Sequence, residues 1–149
     1  MIMTVCGIAL SIILSGIGSA KGAAMIGKAA AALISEQPEK FGQSLVLQMM
    51  CASQGLYGFI VSFFIFMNLN NAIALGNAIT FIDALRYLSA GLIMGLSGYL
   101  TAIQQSITAT AGIQILAKKP EHSTKGVLYS AMIETYAIFA FVVSILIVL

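Results

Sequence analysis

Residues 126–149 read GVLYSAMIETYAIFAFVVSILIVL, an apolar run broken by one charge, Glu134. As helix, such a run crosses the ~30 Å hydrocarbon core of a bilayer. A carboxylate at its middle costs at least ~2.5–3.5 kcal/mol on insertion scales. That cost marks Glu134 as part of an ion or proton pathway, or as a protonated carboxyl hydrogen-bonded to a neighbouring helix.

The rest of the chain has the same character. It is 60% hydrophobic and 8% charged, with a mean hydropathy of +1.01, whereas soluble domains carry about 25% charged residues. Ile2–Ala20, Phe41–Ile82 and Tyr87–Ala117 contain no charge. Period-2 alternation is absent, which argues against a membrane β-barrel. The expectation is an all-α membrane protein, 1–149 forming a single membrane domain without a soluble part. The N-terminus lacks a basic region ahead of its apolar stretch and reads as a first helix rather than a cleaved signal. Cys6 and Cys51 both fall in apolar helix and read as small buried residues, not as a disulfide or metal site. A net charge of +2 gives no reason to expect nucleic acid.

Two polar corners punctuate the chain, Ser35-Glu36-Gln37-Pro38-Glu39-Lys40 and Lys118-Lys119-Pro120-Glu121-His122-Ser123. Proline stops a helix and holds the preceding residue extended, so each is a helix–helix corner. A third connection is placed around Asn68, Asn70, Asn71 and Gly76. Four helices follow, approximately 2–35, 41–68, 79–117 and 122–149. Sliding the chain by 82 residues superposes the corners and pairs Ser15-Gly16 with Ser97-Gly98, Phe59 with Phe141, and Val61-Ser62 with Val143-Ser144. This predicts two tandem parallel hairpins, about 2–68 and 79–149. Lys40, Lys118, Lys119 and Lys125 lie on the corner side, so the positive-inside rule makes the corners cytoplasmic.

In this register Glu134 pairs with Ala52 and Gln105 with Ala23, which leaves one carboxylate for four helices. Met50, Ser53, Gln54 and Tyr57 are spaced i, i+3, i+4, i+7 and share one face of the second helix, at the depth of Glu134. Gln105 lies at a similar depth on the third. A carboxylate, two amide oxygens, a hydroxyl and a backbone carbonyl are hard oxygen donors suited to Na⁺. The alternative is that these polar residues only hold helices together. A proton would need the carboxyl and one neighbour, so the two glutamines favour Na⁺, with H⁺ competing when sodium is low. No Walker-type motif is present, so the chain by itself hydrolyses no ATP. The first helix carries Gly7, Gly16, Gly18, Gly22 and Gly27 among alanines, a surface for close helix approach. Lys21 and Lys28, two turns apart on it, either snorkel or face the interior of an oligomer.

Gln54-Gly55-Leu56-Tyr57-Gly58-Phe59, Ala111-Gly112-Ile113-Gln114-Ile115-Leu116-Ala117-Lys118-Lys119-Pro120-Glu121-His122 and Met132-Ile133-Glu134-Thr135-Tyr136-Ala137-Ile138 resemble the second helix, the third helix with its corner, and the fourth helix of one family. It is the rotor-ring proteolipid of V-type ATPases, and within it the K (c-type) subunits of bacterial sodium-transporting enzymes. The resemblance covers nearly the whole chain. It implies identical copies in a ring in the bacterial plasma membrane, turned by central-stalk subunits that touch Ser35–Lys40 and Lys118–Ser123. A stator arginine would displace the ion from each Glu134. Residue by residue it implies Glu134, Gln54, Gln105, Ser53 and the Met50 carbonyl as Na⁺ ligands, with Tyr57 supporting the carboxylate. The sodium-type pattern has Pro-Gly where this chain has Cys51-Ala52. Without that proline a more regular helix is expected, in which the Met50 carbonyl already accepts the Gln54 N–H. Two other classes are compatible with the residues, an independent small oligomeric transporter or channel and a structural membrane adaptor with protonated Glu134.

Overall fold

The computed structural model describes residues 1–149. It consists of α1 (Ile2–Glu36), α2 (Phe41–Met49), α3 (Ser53–Ala74), α4 (Phe81–Lys118) and α5 (Ser123–Val148), with no strand. A 3-10 turn at Pro38–Lys40 and another at Pro120–His122 form the two Pro-Glu corners. α2 and α3 together make one membrane-length rod, so the architecture is four transmembrane-scale helices in two hairpins.

Ile2–Glu36, Pro38–Ala74 and Pro120–Val148 are each long and apolar enough to cross a membrane. α4 is the longest helix, at 38 residues, or about 57 Å at 1.5 Å per residue. Its apolarity is diluted by Gly, Ser, Thr and Gln, several of which are buried against the other helices.

The third connection differs from expectation. α3 runs through Asn68, Asn70 and Asn71 to Ala74, because a better stop lies further on. Gly76 has φ +68°, its N–H donates to Ile73 O (3.1 Å), and Asn77 N–H donates to Ala72 O (2.9 Å). This is the glycine-terminated Schellman arrangement, which satisfies the last carbonyls of a helix. Asn68 is used elsewhere, donating to Val148 O (2.9 Å), and Arg86 donates to Ile147 O (2.9 Å). Both cap the C-terminus of α5, and Arg86 places a cation at its negative dipole end. α4 starts at Thr80, whose hydroxyl accepts from Asp83 N–H at 3.2 Å.

The hairpins stand side by side at equal depth. A Cβ added to Gly7 would overlap the backbone of Tyr87, one on Gly18 the backbone of Tyr99 (2.6 Å), and one on Gly22 would crowd Ala102 O (3.1 Å). Each α1 residue thus meets α4 residues close to 82 positions on. Side-chain bonds repeat the relation. Ser62 donates to Ile8 O (2.8 Å) and Ser144 to Ala90 O (3.1 Å), both partners 82 residues apart. Gln48 donates to Ala23 O (3.4 Å) and Ser130 to Gln105 O (3.4 Å) in the same way. The duplication read from the sequence is therefore a duplication of contacts, even where the donor side chain has changed.

Candidate functional site

The second rod is not regular. A 3-10 turn, Met50–Ala52, separates α2 from α3, which corrects the expectation of a regular helix in the absence of proline. It coincides with tertiary contacts. Cys51 is buried, with Sγ 3.7 Å from Ala102 O and its Cβ against Gly22. Past the turn, the Gly55 N–H donates to the Ser19 hydroxyl on α1 at 2.7 Å. Ser19, absent from the set expected from sequence, thus anchors the start of α3. Its signal was a hydroxyl within the small-residue face of α1.

The turn sets the azimuth of Ser53, Gln54 and Tyr57 at the head of α3. Tyr57 donates its hydroxyl to Glu134 Oε1 at 2.9 Å, and Gln105 Nε2 lies 3.4 Å from Glu134 Oε2. Gln54 Nε2 donates to Gln105 Oε1, and Ser53 Oγ lies 3.4 Å from Gln54 Oε1 and 3.0 Å from Met50 O. All six residues singled out from the sequence therefore join one network running from α3 through α4 to α5. Gln54 and Gln105 are fully buried, while Glu134, Ser53, Met50 and Tyr57 are partly covered in the single chain. The Tyr57 ring also packs on Phe141, with centroids 5.1 Å apart, which holds its hydroxyl in place.

The network has a direction. Gln54 and Gln105 turn their NH₂ groups toward Gln105 and Glu134, so the carboxylate receives donors only. A cation beside Glu134 needs oxygen donors, and a concerted half-turn of the Gln105 and Gln54 amides would present Gln105 Oε1 there, keep a hydrogen bond between the two, and need no backbone movement. The Met50 carbonyl faces the Ser53 hydroxyl, so these two oxygens adjoin.

Other expectations land as follows. Cys6 is exposed on α1, not buried, and both cysteines are free. Lys21 and Lys28 are exposed on the single chain, and Lys21 Nζ lies 5.5 Å from the Tyr99 ring centroid. Lys40 is buried and donates to Ala117 O (3.0 Å), placing its charge at the negative, C-terminal end of α4.

The sequence matches the family model for the C subunit of ATP synthase twice, over residues 6–65 and 88–147, again 82 residues apart. It is 52% identical over 149 residues to the V-type sodium ATPase subunit K of Enterococcus hirae, covering all of this chain and 92% of that protein. It is 33% identical over 146 residues to the A-type ATP synthase subunit K of Methanocaldococcus jannaschii, 98% of this chain but 61% of that longer protein. To the 16 kDa proteolipid of the human V-type proton ATPase it is 27% identical over 142 residues, 95% of this chain and 88% of the relative. The chain belongs to the ATP synthase C-subunit family, with two copies of the family's hairpin in one polypeptide.

Proposed function

We propose that this chain is the ion-carrying rotor proteolipid of a V-type ATPase and that each copy takes one Na⁺ as cargo at Glu134. The observation that carries this is the Glu134–Gln105–Gln54–Ser53 chain of contacts, closed by Tyr57. A carboxylate joined to two buried carboxamides is a donor set that a proton does not need. The kinship with subunit K of a sodium ATPase points the same way. Glu134, Gln54, Gln105 and Ser53 supply oxygens. The Met50 carbonyl supplies a fifth if the Ser53 hydroxyl turns from it. Tyr57 fixes the carboxylate, and loading neutralises Glu134 for its passage through lipid.

The remaining parts of the reading concern partners. Identical copies form the ring, a stator arginine releases the ion from Glu134, and the central stalk seats on Ser35–Lys40 and Lys118–Ser123. These corners face the cytoplasm of a bacterial plasma membrane, the side that the lysine distribution favours.

Carbodiimide attacks only the protonated carboxyl, so Na⁺ and the reagent compete for Glu134. Labelling of purified rotor near neutral pH should be suppressed by added NaCl and not by equal KCl. Labelling indifferent to sodium would make the cargo a proton. Tyr57→Phe removes a hydrogen bond to a charged acceptor, worth about 1.5–3 kcal/mol. The sodium concentration giving half-protection should therefore rise roughly tenfold or more. An unchanged midpoint would remove Tyr57 from the site.

A further inference from the structure

α3 begins at the depth of Glu134, and its first turn has no cap of its own. The residue ahead of it, Ala52, makes no side-chain bond to the helix start. A helix start leaves its first N–H groups without carbonyl partners, and inside a bilayer no water replaces them. A capping hydroxyl normally sits just before the helix and accepts from its second or third N–H. Here the third N–H, that of Gly55, donates to the Ser19 hydroxyl at 2.7 Å. The cap is delivered from α1, 36 residues back in the chain.

Other serines along α1 act as donors: Ser11 bonds Gly58 O (3.0 Å) and Ser15 bonds Ser11 O (2.5 Å). The one other side chain that accepts from a backbone N–H is Thr80, which caps α4. Ser19 is buried, and Gly55 lets the two helices meet there, since an added Cβ would lie 3.1 Å from Ser19 Oγ. In a continuous α-helix the Gly55 N–H would turn to the Cys51 carbonyl, four residues back. The bond to Ser19 draws it away, where the 3-10 turn Met50–Ala52 gives way to α3. Three residues in 3-10 rather than α geometry rotate one end of the rod against the other by about 60° and lengthen it by about 1.5 Å. At a Cα radius of about 2.3 Å, that rotation moves the backbone by roughly 2 Å. Met50, Ser53 and Gln54 stand before the capped N–H, so their oxygens take the displacement. Tyr57 stands after it, where the Ser11–Gly58 and Ser62–Ile8 bonds tie α3 to α1.

We propose that Ser19 is a positioning residue of the ion site. By capping α3 from α1, it holds the 3-10 turn that brings the Met50 carbonyl and the Ser53 and Gln54 side chains into line with Glu134. This role rests on the sodium reading of the site and adds to it the residue that sets its shape. Without the hydroxyl, the Gly55 N–H returns to the Cys51 carbonyl and the rod becomes regular. The Met50 carbonyl is then taken by the Gln54 N–H. Sodium loses the alignment of its oxygens. A proton does not, because it needs only the carboxyl and its partners Tyr57 and Gln105.

Carbodiimide labelling of purified rotor separates the two ions when it is followed over a range of NaCl at fixed pH and over a range of pH without sodium. Ser19→Ala should raise the sodium concentration giving half-protection roughly tenfold, the scale of one lost hydrogen bond. The pH of half-maximal labelling in sodium-free buffer should match wild type, which a general loosening of the helices would not leave in place. Ser15→Ala deletes a hydroxyl one turn away whose bonds stay within α1, and should keep the wild-type sodium midpoint. Gly55→Ala pushes on the capping bond from its other side and should shift the midpoint as Ser19→Ala does. It decides the matter if Ser19→Ala yields no rotor of wild-type oligomeric mass. An unchanged sodium midpoint, an equal shift in Ser15→Ala, a moved pH midpoint, or loss of assembly in both variants overturns the positioning role. Wild-type labelling indifferent to sodium overturns the sodium reading itself, and this role with it.

Discussion

Vesicles carrying the assembled ATPase with Glu134→Gln should show no ATP-driven sodium uptake above background. The rotor itself should purify with the same oligomeric mass as wild type. The two outcomes separate because the substitution keeps shape and removes charge. Glutamine retains an oxygen and an NH₂ among Tyr57, Gln105 and Gln54, the residues of the Glu134 network. An amide in the membrane interior is also less costly than a carboxylate. What is lost is the negative charge that, on the proposed function, holds a cation against its hydration. Retained uptake would mean that another group carries the ion. None of Asp83, Glu36, Glu39 or Glu121, the other acidic residues, lies in the span around Gln54 and Gln105. Failure to assemble would instead make Glu134 a structural link between helices.

The second large effect concerns packing alone. Gly91→Val should lower the amount of folded chain recovered from membranes severalfold or more, and the survivors should lose helicity at lower temperature. At Gly91 even a methyl group would overlap the Gly7 backbone, with Cα at 2.7 Å and carbonyl carbon at 2.6 Å. No rotamer change relieves a clash between a Cβ and a backbone. α1 and α4 must therefore separate, undoing neighbouring close approaches such as that of Gly95 to Leu10, where an added Cβ would lie 2.5 Å from the Leu10 carbonyl oxygen. Overpacking typically costs about 1–3 kcal/mol where side chains can yield, and here they cannot. Gly42→Ala is the matched control, because its Cβ meets nothing within 4 Å. Equal recovery of the two variants would contradict the helix separation described.

The corners, the repeat and the six-residue network were legible because each depends on local rules. Proline ends helices wherever it stands, and i, i+3, i+4, i+7 spacing puts side chains on one face in any helix. The end of α3 is misread from sequence because the asparagines resemble a turn. Asn68 is instead spent on the last carbonyls of α5, and Gly76 makes the true stop. The 3-10 turn at Met50–Ala52 was illegible for a different reason. Neither Cys51 nor Ala52 disfavours α-helix. The irregularity coincides with contacts from Ala102, Gly22 and Ser19, all remote in sequence, so tertiary packing overrides the local preference. Cys6 reads as buried because cysteine in an apolar helix usually sits in a core. Within one chain that pattern cannot tell an inner face from one awaiting a neighbour.

On the proposed function, the presence of Ala52 and not an acid at the twin position of Glu134 has a mechanical meaning. Two hairpins occupy the arc that an unduplicated ring would divide between two carriers, yet they hold one acid. For a given circumference, a ring of such chains carrying its ions on Glu134 would turn through twice the angle to deliver each ion. At a fixed torque the work available per ion doubles, and the number delivered per revolution halves. Such a wheel is geared low, trading throughput for the ability to push against a steep gradient.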